Sequence, residues 1–135
     1  MEQRHLEQLA EKYLLLLGPA GTAAANEVFH DDFTWHFGAT QTIEGLAAWR
    51  GMVDQWLIAF PDLSPLETLI ITDPIKDSFA VYMRWTGTHS GDFDGIAATG
   101  RTVINAGVSL FQVQGGKVAE EWIFEDSAHL VAQLS

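Results

Sequence analysis

The sequence predicts an α+β fold in which a curved, cone-shaped, mostly antiparallel sheet wraps around one long helix. Three observations lead there. Glu44 to Phe60 is the most periodic segment of the chain: Leu46, Trp49, Met52, Val53, Trp56, Leu57 and Phe60 form a continuous stripe, which Pro61-Asp62 ends. Strand-like runs cluster after this helix, as they do when helices pack on one face of a sheet. Arg101 to Asp126, RTVINAGVSLFQVQGGKVAEEWIFED, reads as a long antiparallel hairpin turning at Gly115-Gly116, since both glycines tolerate positive φ.

In chain order, Leu6, Leu9, Ala10, Tyr13, Leu14 and Leu17 recur at helical spacing between Glu2 and Leu17, and Gly18-Pro19 stops that helix. Thr22 is placed to cap a short second helix from Ala23 to Val28. The acidic pair Asp31-Asp32 suggests a solvated turn. Phe33 to Phe37 alternates as a short strand, with Trp35 and Phe37 on one side and Thr34 and His36 on the other. Gly38 to Thr42 is expected to be loop. After the long helix, Leu66 to Thr72 and Phe79 to His89 read as strands separated by Asp73-Pro74. Arg84, in the second of them, needs a carboxylate partner on the sheet. SGDFDGIAATG, between His89 and Arg101, is a shaped loop whose Phe93 and Ile96 need burial, and such loops often rim a cavity. Ser127 to Leu134 closes the chain as a brief helix with Ala128, Leu130, Val131 and Leu134 inward.

The length of 135 residues suits one domain, residues 1–135, and 47% hydrophobic content with five Trp suffices for a core and an aromatic pocket wall. Eighteen acidic residues against seven basic ones, with no Lys/Arg run, argue against nucleic acid and anionic membranes as partners. A neutral, apolar ligand suits this balance. With no cysteine, disulfides and thiolate metal sites are excluded. His30 beside Asp31 and Asp32 does not make a metal site, because carboxylates on adjacent residues do not converge. The Leu14–Leu17 cluster is interrupted by charge on its N-terminal side, so neither a signal nor a membrane span is expected and a cytoplasmic location is assumed.

If Gly115-Gly116 is a two-residue turn with no bulge, Asp126 faces Asn105, Phe124 faces Gly107 and Trp122 faces Ser109, and these share a face with Phe111 and Glu120. That arrangement puts one carboxylate, Asp126, among aromatic groups, where its pKa would rise and acid/base chemistry would become possible near neutral pH. A bulge would break this pairing. Of the adjacent Glu120 and Glu121, one faces in, toward a partner protomer or Lys117, and neither is assigned to catalysis.

RWTGTHSGDFDGIAATGRTV, AFPDLSP and GGKVAEEWIFEDSAHLVAQL resemble the SnoaL-like polyketide cyclase family of the nuclear transport factor 2-like superfamily, from about His36 to the C-terminus. The resemblance implies the cone fold and an intramolecular aldol condensation on an aromatic polyketide ester, run by a pocket aspartate without metal or organic cofactor. The aspartate of the family's W-x-x-x-D motif corresponds to Asp126 after Trp122. Asn105, His36 and His89 are the polar candidates to hold the substrate's carbonyls, while Trp85, Trp122, Phe124 and Phe60 are candidate pocket walls. Family members usually dimerise through the outer sheet face, where Ile104, Val108 and Leu110 are expected, so a homodimer is expected.

Each of these residues also has a purely structural reading. Asp126 precedes the final helix and would serve as its N-cap. His36 and His89 could be hydrogen-bonded structure, His89 by fixing its loop. The fold also hosts small-molecule binders without activity, and hydrolases or isomerases.

Overall fold

The computed structural model describes all residues, Met1–Ser135. The elements are α1 (Gln3–Leu16), a 3₁₀ turn (Ala25–Glu27), β1 (Phe29–Phe37), β2 (Gln41–Glu44), α2 (Leu46–Ala59), β3 (Ser64–Asp73), β4 (Ser78–Thr88), β5 (Thr102–Gln114), β6 (Lys117–Glu125) and α3 (Ser127–Gln133). The strands form one sheet in the order β2-β1-β6-β5-β4-β3. All neighbours are antiparallel except β1 and β6, which run parallel, so the sheet is mixed. It curves without closing, and the helices cover its inner face, giving the α+β cone. No helix is long and apolar enough to cross a membrane.

The α2 stripe does what its spacing demands. Leu46, Trp49 and Val53 are buried, each such side chain contributing roughly 1.5–3 kcal/mol by leaving water. They join Leu6, Leu9, Tyr13 and Leu16 of α1 and inward residues of the sheet in the larger of two apolar clusters. Ring contacts organise its centre: Phe79 stacks on Phe111 at 4.4 Å and Tyr13 meets Phe111 edge-on at 4.7 Å. The smaller cluster, at the other end of the cone, joins Phe60, Trp85 and Val103 to Leu130 and Leu134 around α3.

Several elements differ from the sequence expectation. The second helix is only a 3₁₀ turn, and the Thr22 hydroxyl donates to Asp54 at 2.9 Å instead of capping it. Asp31 and Asp32 are exposed residues inside β1, not a turn, where the β1–β6 pairing is irregular between Phe29 and Thr34. Residues Gln41 and Thr42, expected in a loop, begin the edge strand β2. Of the four residues expected inward at the end of the chain, Leu130 in α3 and Leu134 just after it are buried, while Ala128 and Val131 are exposed. Arg84 meets Glu67 at 3.6 Å on the outer face, as expected.

The loop between β4 and β5 is tied at both ends. Ser90 N–H donates to the Ala59 carbonyl at the end of α2, and Phe93 and Ile96 exchange backbone hydrogen bonds. The Phe93 ring meets Trp56 edge-on at 4.9 Å. Its burial need is met against α2.

Candidate functional site

The hairpin turns at Gly115-Gly116, whose φ values of 61° and 85° fit the type I′ geometry expected of paired glycines. Two pairs later the register slips: Val113 faces Val118, but Gln112 faces Glu120, leaving Ala119 as an extra residue. Beyond this bulge every partner moves by one, so Phe111 faces Glu121, Ser109 faces Ile123 and Gly107 faces Glu125. The pairing expected from an unbulged hairpin is therefore corrected. Glu121, Ile123 and Glu125 point inward, and Glu120, Trp122 and Phe124 belong to the outer face.

The inner face encloses an apolar cavity of about 90 Å³ against α1 and α2. Of its 18 lining residues 15 are hydrophobic, Trp49, Trp56, Met83 and Trp85 among them, and the exceptions are Gly107, Ser109 and Glu125. Glu125 is its lining carboxylate. Glu125 Oε1 accepts from Trp85 Nε1–H at 2.8 Å and from Asn105 Nδ2–H at 3.0 Å. Burial raises its pKa above the ordinary carboxylate value, the two hydrogen bonds oppose that rise, and the neighbouring charge of Asp126 adds to it. Glu125 Oε2 occupies the space over Gly107, where a Cβ would overlap it outright. The glycine in mid-strand thus seats the carboxylate.

A larger groove of about 690 Å³ lies beside this cavity, between β1–β2, α2, the loop carrying Phe93, and α3. Phe37, Met52 and Trp56 line both and form their common wall.

Deeper in the same face, Glu121 is completely buried. Its Oε1 accepts from Trp49 Nε1–H at 3.1 Å, while Oε2 has no partner. Desolvation pushes its pKa to about 8, against the pull of Ser109 and Trp49. It does not meet Lys117, the contact anticipated for whichever of the pair faced inward. Glu120 is the outward member.

The structure separates the residues singled out from sequence. Trp85 and Asn105 come together with Glu125, Trp85 in the wall and Asn105 buried beneath the carboxylate, where its Nδ2 also donates to the Asp126 carbonyl at 3.1 Å. Asp126 itself is exposed, at the N-cap position of α3, and its side chain makes no capping hydrogen bond. Phe60 is buried behind the cavity, with ring centroids 5.2 Å from Trp85 and 5.6 Å from His89. His89 is fully buried and accepts at Nδ1 from Thr99 N–H at 3.1 Å, so it fixes the loop, the structural role weighed for it. His36 and Trp122 lie on the outer face, their rings stacked at 5.4 Å, with His36 bonded to Glu120 at 2.6 Å and Thr42 at 3.0 Å. Phe124 is among the residues around the cavity, yet its strand alternation directs the side chain outward and leaves it 47% exposed. Glu125, Gly107 and Tyr13 were not singled out as site residues. Gly107 carried a readable signal, a glycine inside an otherwise β-branched and apolar strand. No three His, Asp or Glu side chains converge as a metal-binding set.

A family model for SnoaL-like polyketide cyclases matches residues 7–134. The chain belongs to this family. The SnoaL-like fold is shared with a candidate SnoaL-like polyketide cyclase from Jannaschia sp. CCS1, at TM-score 0.84 and 23% identity over 100% of this chain and 96% of that one. A candidate polyketide cyclase from Xanthomonas campestris pv. campestris superimposes at TM-score 0.87 with 14% identity over 98% of each chain. AclR, a candidate hydroxylase from Streptomyces galilaeus, reaches 0.81 with 20% identity, over 98% of this chain and 82% of that one. No curated protein matches. Identities this low carry the SnoaL-like fold, and the chemistry has to come from the residues in the cavity.

Proposed function

We propose that this SnoaL-like protein is a cofactor-independent acid/base enzyme of cyclase type, in which Glu125 takes a proton from carbon next to a carbonyl of a small, neutral, apolar or aromatic substrate. The observation that carries this is the placement of Glu125: a carboxylate in an apolar cavity, with one oxygen held by Trp85 and Asn105. A free glutamate, with a pKa of ~4.3, is too weak a base for efficient work near pH 7, and desolvation moves this one in the useful direction. The C–H pair becomes the enolate π bond and the proton goes to Glu125. The enolate carbon then attacks a second carbonyl of the same molecule, and Glu125 returns its proton to the new alkoxide. Electrons and protons balance with no oxidant or reductant. At about 90 Å³ the cavity is smaller than the ~150 Å³ that holds benzene, so it takes only the carbonyl end of a substrate and leaves any ring outside it. The body of a larger ligand has the adjoining groove, once Phe37, Met52 or Trp56 turns aside.

The test is exchange of the α-protons of acetophenone in D₂O, followed by NMR. The parent protein should accelerate exchange, Glu125→Gln should lower the rate by about 10²–10⁴-fold, and Asp126→Asn should change it only a few-fold. The opposite pattern would return the base to Asp126. No exchange by the parent would leave a pocket that binds without turnover.

The outer face exposes Leu69, Ile71, Ile104, Leu110 and Phe124, each at least 47% accessible. We propose that this face pairs two protomers in a homodimer. Light scattering at micromolar concentration should return twice the chain mass, and a monomer would contradict it.

A further inference from the structure

Two hydroxyls in the cavity have no part in the reaction as written above. Tyr13 reaches in from α1 and Ser109 from β5, and both line the cavity that Glu125 enters. Ser109 is two residues from Gly107 on the same face of one strand, so its hydroxyl sits about 7 Å along the sheet from the seat of the carboxylate. In the hairpin register it lies diagonally between Glu121 and Glu125.

Behind the hydroxyls is Glu121, fully buried, with Oε2 unpartnered. An ionised carboxylate in that position would be costly to bury, and the neutral acid still needs an acceptor for its proton. Ser109, the diagonal neighbour of Glu121 across the hairpin, is placed to offer that oxygen. A proton on Glu121 Oε2, donated to Ser109 Oγ, leaves the Ser109 hydrogen free to point into the cavity. Tyr13 is likewise a standing donor, since burial pushes its pKa far above the ordinary tyrosine value.

We propose that the hydroxyls of Tyr13 and Ser109, backed by the Glu121 carboxyl, form an oxyanion-binding floor that receives the carbonyl oxygen of the ligand while Glu125 works on the adjacent carbon. Tyr13 and Ser109 touch the ligand, and Glu121 is a positioning residue acting through Ser109. As Glu125 removes the proton, the electron pair moves onto the carbonyl oxygen, and donors already aimed at it stabilise the developing charge without reorganising. The assignment rests on the reaction proposed above and names the second half of its site.

The probe is 4-chlorophenol, whose hydroxyl stands in for an enol oxygen, compared by isothermal titration with 4-chlorotoluene, of similar shape but without the hydroxyl. Tyr13→Phe and Ser109→Ala should each lower the phenol-to-toluene affinity ratio about tenfold, the worth of a hydrogen bond in such a site, with toluene affinity kept. Glu121→Gln, whose amide donates to Ser109 as the neutral acid does, should keep the ratio. Equal loss of both ligands, an unchanged ratio in both variants, or failure of 4-chlorophenol to bind the parent would overturn the assignment. A hydroxyl preference that depends on Tyr13 and Ser109 in a parent without acetophenone exchange would remove the reaction and leave the oxygen site standing. Exchange with an unchanged ratio would remove this floor alone.

Discussion

Replacing Gly107 by alanine is expected to expel the Glu125 carboxyl from its seat and lower α-proton exchange by about 10²-fold, the cost of misplacing a reacting group by roughly an ångström. Gly107 adopts ordinary strand geometry that alanine tolerates, so no backbone strain complicates the result. The added methyl collides with Glu125 Oε2 and comes within 2.9 Å of the Phe124 carbonyl oxygen. Because Glu125 holds the Trp85 and Asn105 donors, its displacement leaves two N–H groups in a largely apolar region without their partner. Thermal stability should therefore fall along with activity. In a Glu125→Ala background the same glycine replacement should cost much less, a non-additivity that marks the two positions as one unit. An active Gly107→Ala protein with parental stability would show that the carboxyl can sit elsewhere.

The second large effect concerns pH. Glu121 has an ordinary value of 4.5 and titrates in the fold at about 8. The folded state thus holds a proton that the unfolded state releases, so this contribution to stability is complete below about pH 4.5 and is lost as pH rises through 8. Glu125, raised in the same direction, adds to the trend. The other titratable group facing Glu121 is Tyr13 from α1, which stays protonated throughout, while α2 and β5 present only Trp49 and Ser109. Melting of the parent should fall by ~15 °C between pH 5 and pH 9, about 4 kcal/mol at roughly 4 °C per kcal/mol in a domain of this size. Glu121→Gln should lose visibly less. A parent melting curve indifferent to pH over this range would mean that Glu121 is ionised and paired in a way the fold does not display.

Much of the architecture was legible because it depends on period. Trp49 and Val53 belong to a helical stripe, and the glycines at 115 and 116 announce a turn with positive φ. The inward face of β6 was not legible, because it depends on parity. One extra residue, Ala119, exchanges inside for outside, and nothing in V-A-E marks a bulge. The same parity error turns the Trp122 and Phe124 side chains from the expected pocket to the outer face, whereas His36 lies outward through the alternation of its own strand, β1. The β2 strand escaped notice because four mostly exposed residues at a sheet edge carry no hydrophobic alternation. Asp31 and Asp32 looked like a turn because a strand whose side chains reach solvent tolerates charge. Trp85 was found because it does not depend on the register of β6, and Asn105 because its own alternation on β5 turns it inward although the partner expected for it was one residue off.

The strand order has a consequence for how the molecule comes into being. β6 follows the other five strands along the chain, yet it lies mid-sheet as the only bridge between β1–β2 and β5–β4–β3. Until residues 117–125 emerge from the ribosome, the nascent chain holds two separate pieces of sheet with unsatisfied edges. The cone can close only once β6 has emerged, and the carboxylates Glu121 and Glu125 arrive on the very strand that closes it.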